Sequence, residues 1–231
     1  MKTLRLASLL TFLLTNISQA GQLTVAPILL KMSPDQANAT LSLTNGASED
    51  GFYQVQLFSW SQQEGKRQLS VQNDLVVTPP VTLIPAGGNQ TIRLVRTGPA
   101  QSNHEQSYRL VVSEIPDTEQ QERNAQVQVL LRLSIPVFVG EKAQKPSLQA
   151  SLSGQTLHIS NSGNAHARLT DLAWQDTQGR SHTIQQGLSG YVLPDSQHQW
   201  QIPSPAPMDN IDLISFTLNG QPVTLPIGRK P

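Results

Sequence analysis

Apolar residues in this chain recur at every second position, in short runs broken by turn residues, and that periodicity admits one kind of backbone. Period two sends successive side chains to opposite faces of an extended strand, whereas a helix needs a period of 3.6. Ala39, Leu41 and Leu43 alternate with Thr40, Ser42 and Thr44 before the turn Asn45-Gly46. Tyr53, Val55 and Leu57 alternate in the run that ends at Trp60. Residues 91–95 follow the turn Gly87-Gly88-Asn89, residues 108–112 follow a polar loop, and the longest run covers 127–139. No window of eleven or more residues carries a helical stripe. Short strands about ten residues apart predict an all-β sandwich rather than alternating strands and helices.

A chain of 231 residues suits one large β domain or two of about 100 residues each. The break falls at Gly140-Glu141-Lys142-Ala143-Gln144-Lys145-Pro146, a polar stretch that ends in proline, as linkers do. Strand patterns resume at 148–152 and 156–160 and continue through 167–174, 199–202, 211–218 and 223–225. The expected division is therefore 21–140 and 147–231, both β.

The first twenty residues read as a secretory leader. Lys2 and Arg5 precede an apolar stretch over 6–14, and Ser18-Gln19-Ala20 is a small-x-small site, so cleavage is expected after Ala20. That stretch is about half the ~20 residues needed to span a bilayer. No later segment approaches spanning length, so an exported protein with no membrane span is expected.

Composition removes several functions. Lys and Arg total 16 against 16 Asp and Glu, without the basic excess of a nucleic-acid binder. With no cysteine there is no disulfide framework, thiolate metal site or cysteine nucleophile. The five histidines (His104, His158, His166, His182 and His198) never fall at the i, i+4 spacing of a helical metal site. No phosphate-binding glycine loop or nucleophile elbow is present. The expectation is a protein that is not an enzyme and carries no cofactor or metal.

The run at 127–139 is unusual. Val127, Val129, Leu131, Leu133 and Ile135 put five large aliphatics on one face, against Gln126, Gln128, Leu130, Arg132 and Ser134 on the other. It exceeds the usual five or six residues of a strand, and a polar segment at 117–124 leads into it. Two readings stand. The apolar face belongs to the domain's own core, or the row runs past that core and completes another protein's sheet, with backbone bonds giving affinity and alternate side chains giving register. An exposed row would also let the free protein cap itself as an oligomer.

At this point the chain resembles the periplasmic chaperones of chaperone–usher pili. The resemblance rests on Thr78-Pro79-Pro80-Val81-Thr82-Leu83-Ile84-Pro85-Ala86-Gly87 leading into Thr91-Ile92-Arg93-Leu94, and on residues 108–116 ending in Glu114-Ile115-Pro116. It rests further on 127–139 with Ile135-Pro136-Val137-Phe138, and on Asn161-Ser162-Gly163-Asn164-Ala165-His166-Ala167. The resemblance implies two immunoglobulin-like domains joined at an angle, a donor strand over about 125–139, a pilus subunit with an incomplete fold as partner, and delivery to an outer-membrane usher. Val127, Val129 and Leu131 then take the positions that fill subunit pockets, and Leu133 and Ile135 continue the row.

Conventional members of that family hold the subunit's terminal carboxylate with two basic residues, at positions that align near Leu29 and with Pro136. Neither is basic here, and in this the sequence resembles the archaic, Csu-type branch. A buried carboxylate still needs a cation. The candidates are Arg109, which interrupts an apolar strand expected to pair with the donor strand, and Lys31 and Arg132. The competing readings are a secreted pilus subunit or adhesin and a carbohydrate-binding β-sandwich protein. The first should carry a donor peptide at its mature N-terminus, where Pro27 makes a poor one; the second should cluster its aromatics, which this sequence does not.

Overall fold

The structure is a computed structural model that describes residues 23–98, 103–116, 130–141, 143–203 and 211–229. The leader and two residues of the aliphatic row, Val127 and Val129, lie outside the described residues. Ten strands come first: β1 (Leu23–Ala26), β2 (Leu30–Met32), β3 (Asn38–Asn45), β4 (Gly51–Gln63), β5 (Lys66–Ser70), β6 (Leu75–Thr78), β7 (Val81–Ile84), β8 (Asn89–Arg96), β9 (Gln106–Ile115) and β10 (Arg132–Val139). Seven follow the linker: β11 (Leu148–Ser153), β12 (Thr156–Asn161), β13 (Ala167–Asp176), β14 (Ser181–Val192), β15 (Ser196–Gln201), β16 (Ile211–Leu218) and β17 (Gln221–Arg229).

The first ten strands form two facing sheets. One runs β1-β3-β8-β6; the other runs β2-β10-β9-β4-β5, with β7 pairing the first residues of β4. Alternation decides what lies between them. Leu41 and Leu43 of β3, Val55 and Leu57 of β4, Ile92 and Leu94 of β8, Leu110 and Val112 of β9, and Ile135, Val137 and Val139 of β10 share one core. The last seven strands form a sheet in the order β14-β13-β16-β17-β11-β12-β15 around a second core with Leu157, Leu169, Trp174, Trp200 and Phe216.

Each sandwich fixes one turn with a buried asparagine. Asn45 donates to the Glu49 and Ile84 carbonyls and accepts from Ala47 N, while Asn161 donates to the Ala165 and Val192 carbonyls and accepts from Ser147 N and Gly163 N. A buried amide is tolerated because each of these groups is paired. Gly163 lies against the linker, and a Cβ there would collide with Lys145 O and Ser147 N.

A third cluster joins the two sandwiches. Trp60 and Phe138 from the first pack against Tyr191 and Leu193 from the second, with Leu29 and Leu69 at the margin. Gln62 clamps the contact: its Nε2 donates to the Tyr191 carbonyl at 2.7 Å, and its Oε1 accepts from Leu193 N at 2.8 Å and Ser196 Oγ at 2.7 Å. His166 stacks on Phe138 with ring centroids 3.5 Å apart, and its Nδ1 lies 2.6 Å from Glu105 Oε1. His198 Nδ1 donates to the Gly65 carbonyl.

Candidate functional site

The two ends of β10 differ. At residues 137–139 it lies between β9 on one side and β2, in parallel register, on the other. At residues 132–136 it pairs with β9 alone, because β2 reaches only Val137, Phe138 and Val139. On its other side no described strand meets that backbone. An edge of this kind can accept another chain's strand, and proteins that do not use such edges cover or blunt them.

Side chains follow the same gradient. Val137 and Val139 are fully buried and Ile135 is 5% exposed, so Ile135 is a core residue of the first sandwich in this structure. Leu133 packs against that core while half-buried, and Leu131 is half-buried too. The row therefore leaves the core between Ile135 and Leu131. Leu131 is held in line by Glu114, whose N–H donates to the Leu131 carbonyl at 2.9 Å and whose carboxylate accepts from Leu131 N at 3.1 Å.

Arg109 lies beside this edge, directly across from Pro136 in the β9–β10 register. Leu30 pairs with Val137, so Leu29 lies next to the same cross-strand row. The cation thus sits one strand over from Pro136 and two from Leu29, the two positions where the family resemblance leads one to expect basic residues. It is not the arginine of a solvated sheet face. Its guanidinium carbon is 3.7 Å from the Trp60 ring centroid and 5.4 Å from that of Tyr191, between the two sandwiches. A cation over an aromatic face is attracted to it, most strongly over Trp.

Three buried side-chain polar atoms lack a hydrogen-bond partner among the described residues: Arg109 Nε, Trp60 Nε1 and Ser107 Oγ. Trp60 carries the Arg109 guanidinium over its ring, and Ser107 is two residues from Arg109 on the same face of β9. Native interiors pair nearly all such groups, with protein atoms or with ordered water. Burial lowers the Arg109 pKa to about 10, Tyr191 acts against that and Arg67 adds to it. The group keeps its charge at neutral pH, and among the described residues no carboxylate offsets its cost of desolvation.

The other two cations differ. Lys31 is exposed at the β2 edge, in register with Phe138, and Arg132 is exposed in register with Ser113. Arg132 stands four residues along β10 from the Arg109 row, about 13 Å at the usual rise per residue. All three project from the same face of one sheet, but among them only Arg109 is half-buried rather than exposed.

Trp60, Phe138, Tyr191 and Gln62 did not emerge from the sequence. A signal was present in the alternation itself. Phe58 and Trp60 lie opposite in parity to the core residues Tyr53, Val55 and Leu57, and Phe138 lies opposite in parity to Val137 and Val139. Large aromatics on the outer face of a sandwich strand imply a second surface that covers them.

The far end of the same outer face is apolar and open. Leu83, Phe52 and Ile115 lie in register across β7, β4 and β9 at 45%, 47% and 38% exposure, and Leu130 is 43% exposed. A contiguous apolar row of this kind suits contact with another protein. Among the described residues no group of three His, Asp or Glu side chains converges on a point where a metal could bind.

The model of the pili and flagellar-assembly chaperone family, PapD N-terminal domain, matches residues 22–143. The chain belongs to that family. No curated protein matches it in a direct sequence comparison. Among solved structures it is similar to the CsuC–CsuE chaperone–tip adhesion subunit pre-assembly complex, from the archaic chaperone–usher Csu pili of Acinetobacter baumannii. The identity is 25% over 91% of this chain and 100% of that one, with a TM-score of 0.72. The Escherichia coli chaperone DraB matches at 18% identity over 91% and 97% of the two chains, with a TM-score of 0.61. The Salmonella enterica SafA pilin complex with the SafB chaperone matches at 17% identity over 88% and 94%, with a TM-score of 0.64. The fold is that of two-domain, immunoglobulin-like pilus chaperones.

Proposed function

We propose that this pilus-assembly chaperone captures subunits by lending the open half of β10 to their incomplete sandwiches. Arg109 holds the subunit's terminal carboxylate, and the loaded chaperone delivers its cargo to an outer-membrane usher. The secretory leader expected at 1–20 supports a periplasmic setting for this activity. The observation that carries the reading is the backbone edge at residues 132–136, open among the described residues, which ends beside a half-buried guanidinium with no carboxylate partner among them.

The physical division of labour is direct. Backbone pairing along the edge gives affinity but permits slippage by two residues, which keeps the same face inward. A fixed ionic anchor removes that freedom. Each aliphatic of the row that fills a subunit pocket contributes about 1.5–3 kcal/mol; Leu131 is half-buried, and the sequence alternation continues from it through Val129 and Val127. The similar complexes pair CsuC with a tip adhesion subunit and SafB with a pilin, and the same kind of partner is proposed here.

The test is affinity recovery of the chaperone from the periplasm of pilus-forming cells. A small β subunit should accompany the wild-type chain at equal stoichiometry. Arg109→Ala should lose it while remaining folded and exported. Arg109→Lys should recover only part, because an ammonium cannot reproduce the two-pronged guanidinium fork. Lys31→Ala and Arg132→Ala should capture almost normally. Capture by Arg109→Ala, with loss on replacing either of the other cations, would move the anchor; a wild-type chain that brings down no subunit would contradict the proposal.

A further inference from the structure

Tyr191 belongs to the second sandwich, yet its ring forms a wall of the Arg109 site. It is 8% exposed, its ring stands edge-on to Trp60 with centroids 5.5 Å apart, and the guanidinium carbon of Arg109 lies 5.4 Å from its centroid. Gln62 grips its main-chain carbonyl, so its position is set by the contact between the sandwiches. Its hydroxyl has no hydrogen-bond partner among the described residues, although a tyrosine buried to this degree ordinarily finds one.

We propose that the Tyr191 hydroxyl is the second donor of the anchor, so that the subunit carboxylate is held by a guanidinium from one domain and a phenol from the other. The inference rests on the carboxylate-anchoring role proposed for Arg109. An ionised carboxylate offers about four lone-pair sites on two oxygens, more than one guanidinium edge occupies, and a phenol O–H can fill another. Bonds of this kind to a charged acceptor are shorter and roughly twice as strong as neutral ones. The guanidinium carbon lies 5.4 Å from the Tyr191 ring centroid, close enough for one small ligand to meet both groups. The site is therefore complete only when the sandwiches are docked. The Gln62 clamp and the Phe138–His166 stack act on capture by holding Tyr191 over the cleft.

The ligand chemistry can be tested without a subunit. Sodium acetate is titrated into the full chain while the Trp60 indole N–H is followed by NMR, with acetamide as the neutral control and sodium chloride holding ionic strength. The wild-type signal should shift saturably with acetate and not with acetamide. Tyr191→Phe keeps the ring and the interdomain packing, so its melting temperature should be unchanged while acetate binding weakens about tenfold, the loss of one bond to a charged group. Arg109→Ala should abolish the saturable shift. Equal acetate affinity in Tyr191→Phe and wild type, with the shift still dependent on Arg109, would overturn the second donor and leave the Arg109 anchor standing. A shift that survives Arg109→Ala, or no saturable shift in wild type, would overturn both.

Discussion

The two halves of β10 share one strand and one alternation but do different work. Residues 137–139 are flanked by β9 and β2, buried in the first core on one face, and at Phe138 covered by Tyr191 and His166 on the other. Among the described residues, 131–134 are met by β9 alone, expose Arg132 and Ser134, and leave Leu131 and Leu133 half-buried. The difference teaches that an aliphatic row says how a strand is faced, not what covers it. Cover is set by how far the neighbouring strands extend, and β2 is three residues long. The closed half anchors the strand in its domain, which lets the open half stay extended without a partner.

Substitutions should separate the halves, and the largest effect is expected in the closed one. Phe138→Ala removes a fully buried ring from the junction of the sandwiches and should cost about 3–5 kcal/mol, read as a lowered denaturant midpoint. Leu131→Asp should do the reverse: stability within about 1 kcal/mol of wild type, because the side chain is half-exposed, and subunit recovery reduced by orders of magnitude. A large stability loss with recovery intact would make the open half ordinary core.

Gln62→Ala sharpens the same contrast from the interface side. It deletes three bonds between the sandwiches, and leaving the Leu193 N–H and Tyr191 carbonyl unpaired should cost about 1–3 kcal/mol. Both cores are untouched, so the expected readout is a calorimetric transition that splits in two. A single unsplit transition would show that the aromatic cluster alone couples the domains.

The smallest effect on β10 should come from acid. Burial acts to raise the Asp176 pKa, but hydrogen bonds from Arg180 N and Nε, His182 and Gln178 N outweigh it and hold the pKa at about 2 against the ordinary 3.8. The unfolded chain thus binds this proton more readily. The stabilisation is complete above the unfolded value and is lost as pH falls through about 2. Asp176→Asn should flatten that part of the acid profile in the second sandwich, with subunit recovery at neutral pH unchanged. An acid profile identical to wild type would remove the carboxylate from the account.

Much of this was legible in the sequence because period two is a local property. The alternation of Leu41 and Leu43, or of Val55 and Leu57, needs no knowledge of what lies opposite. Arg109 was legible as a cation interrupting an apolar strand, and its pairing with the final strand of the first domain follows from sandwich topology. Its setting was not legible. Trp60, 49 residues earlier, and Tyr191, 82 residues later, meet it only once both sandwiches have formed and docked. The core placement of Ile135 was hidden for the opposite reason. Its alternation is the same as that of Leu131, and the distinction lies in the ends of neighbouring strands.

Hydrogen exchange along β10 tests the central claim most directly. In the dilute free chaperone, the amides of residues 131–135 that face away from β9 should exchange quickly, while those of residues 137–139 stay protected. On binding the recovered subunit, the first set should become protected and the second should hardly change. Equal protection of both halves in the free chain, or an open half that still exchanges freely in the complex, would contradict the account.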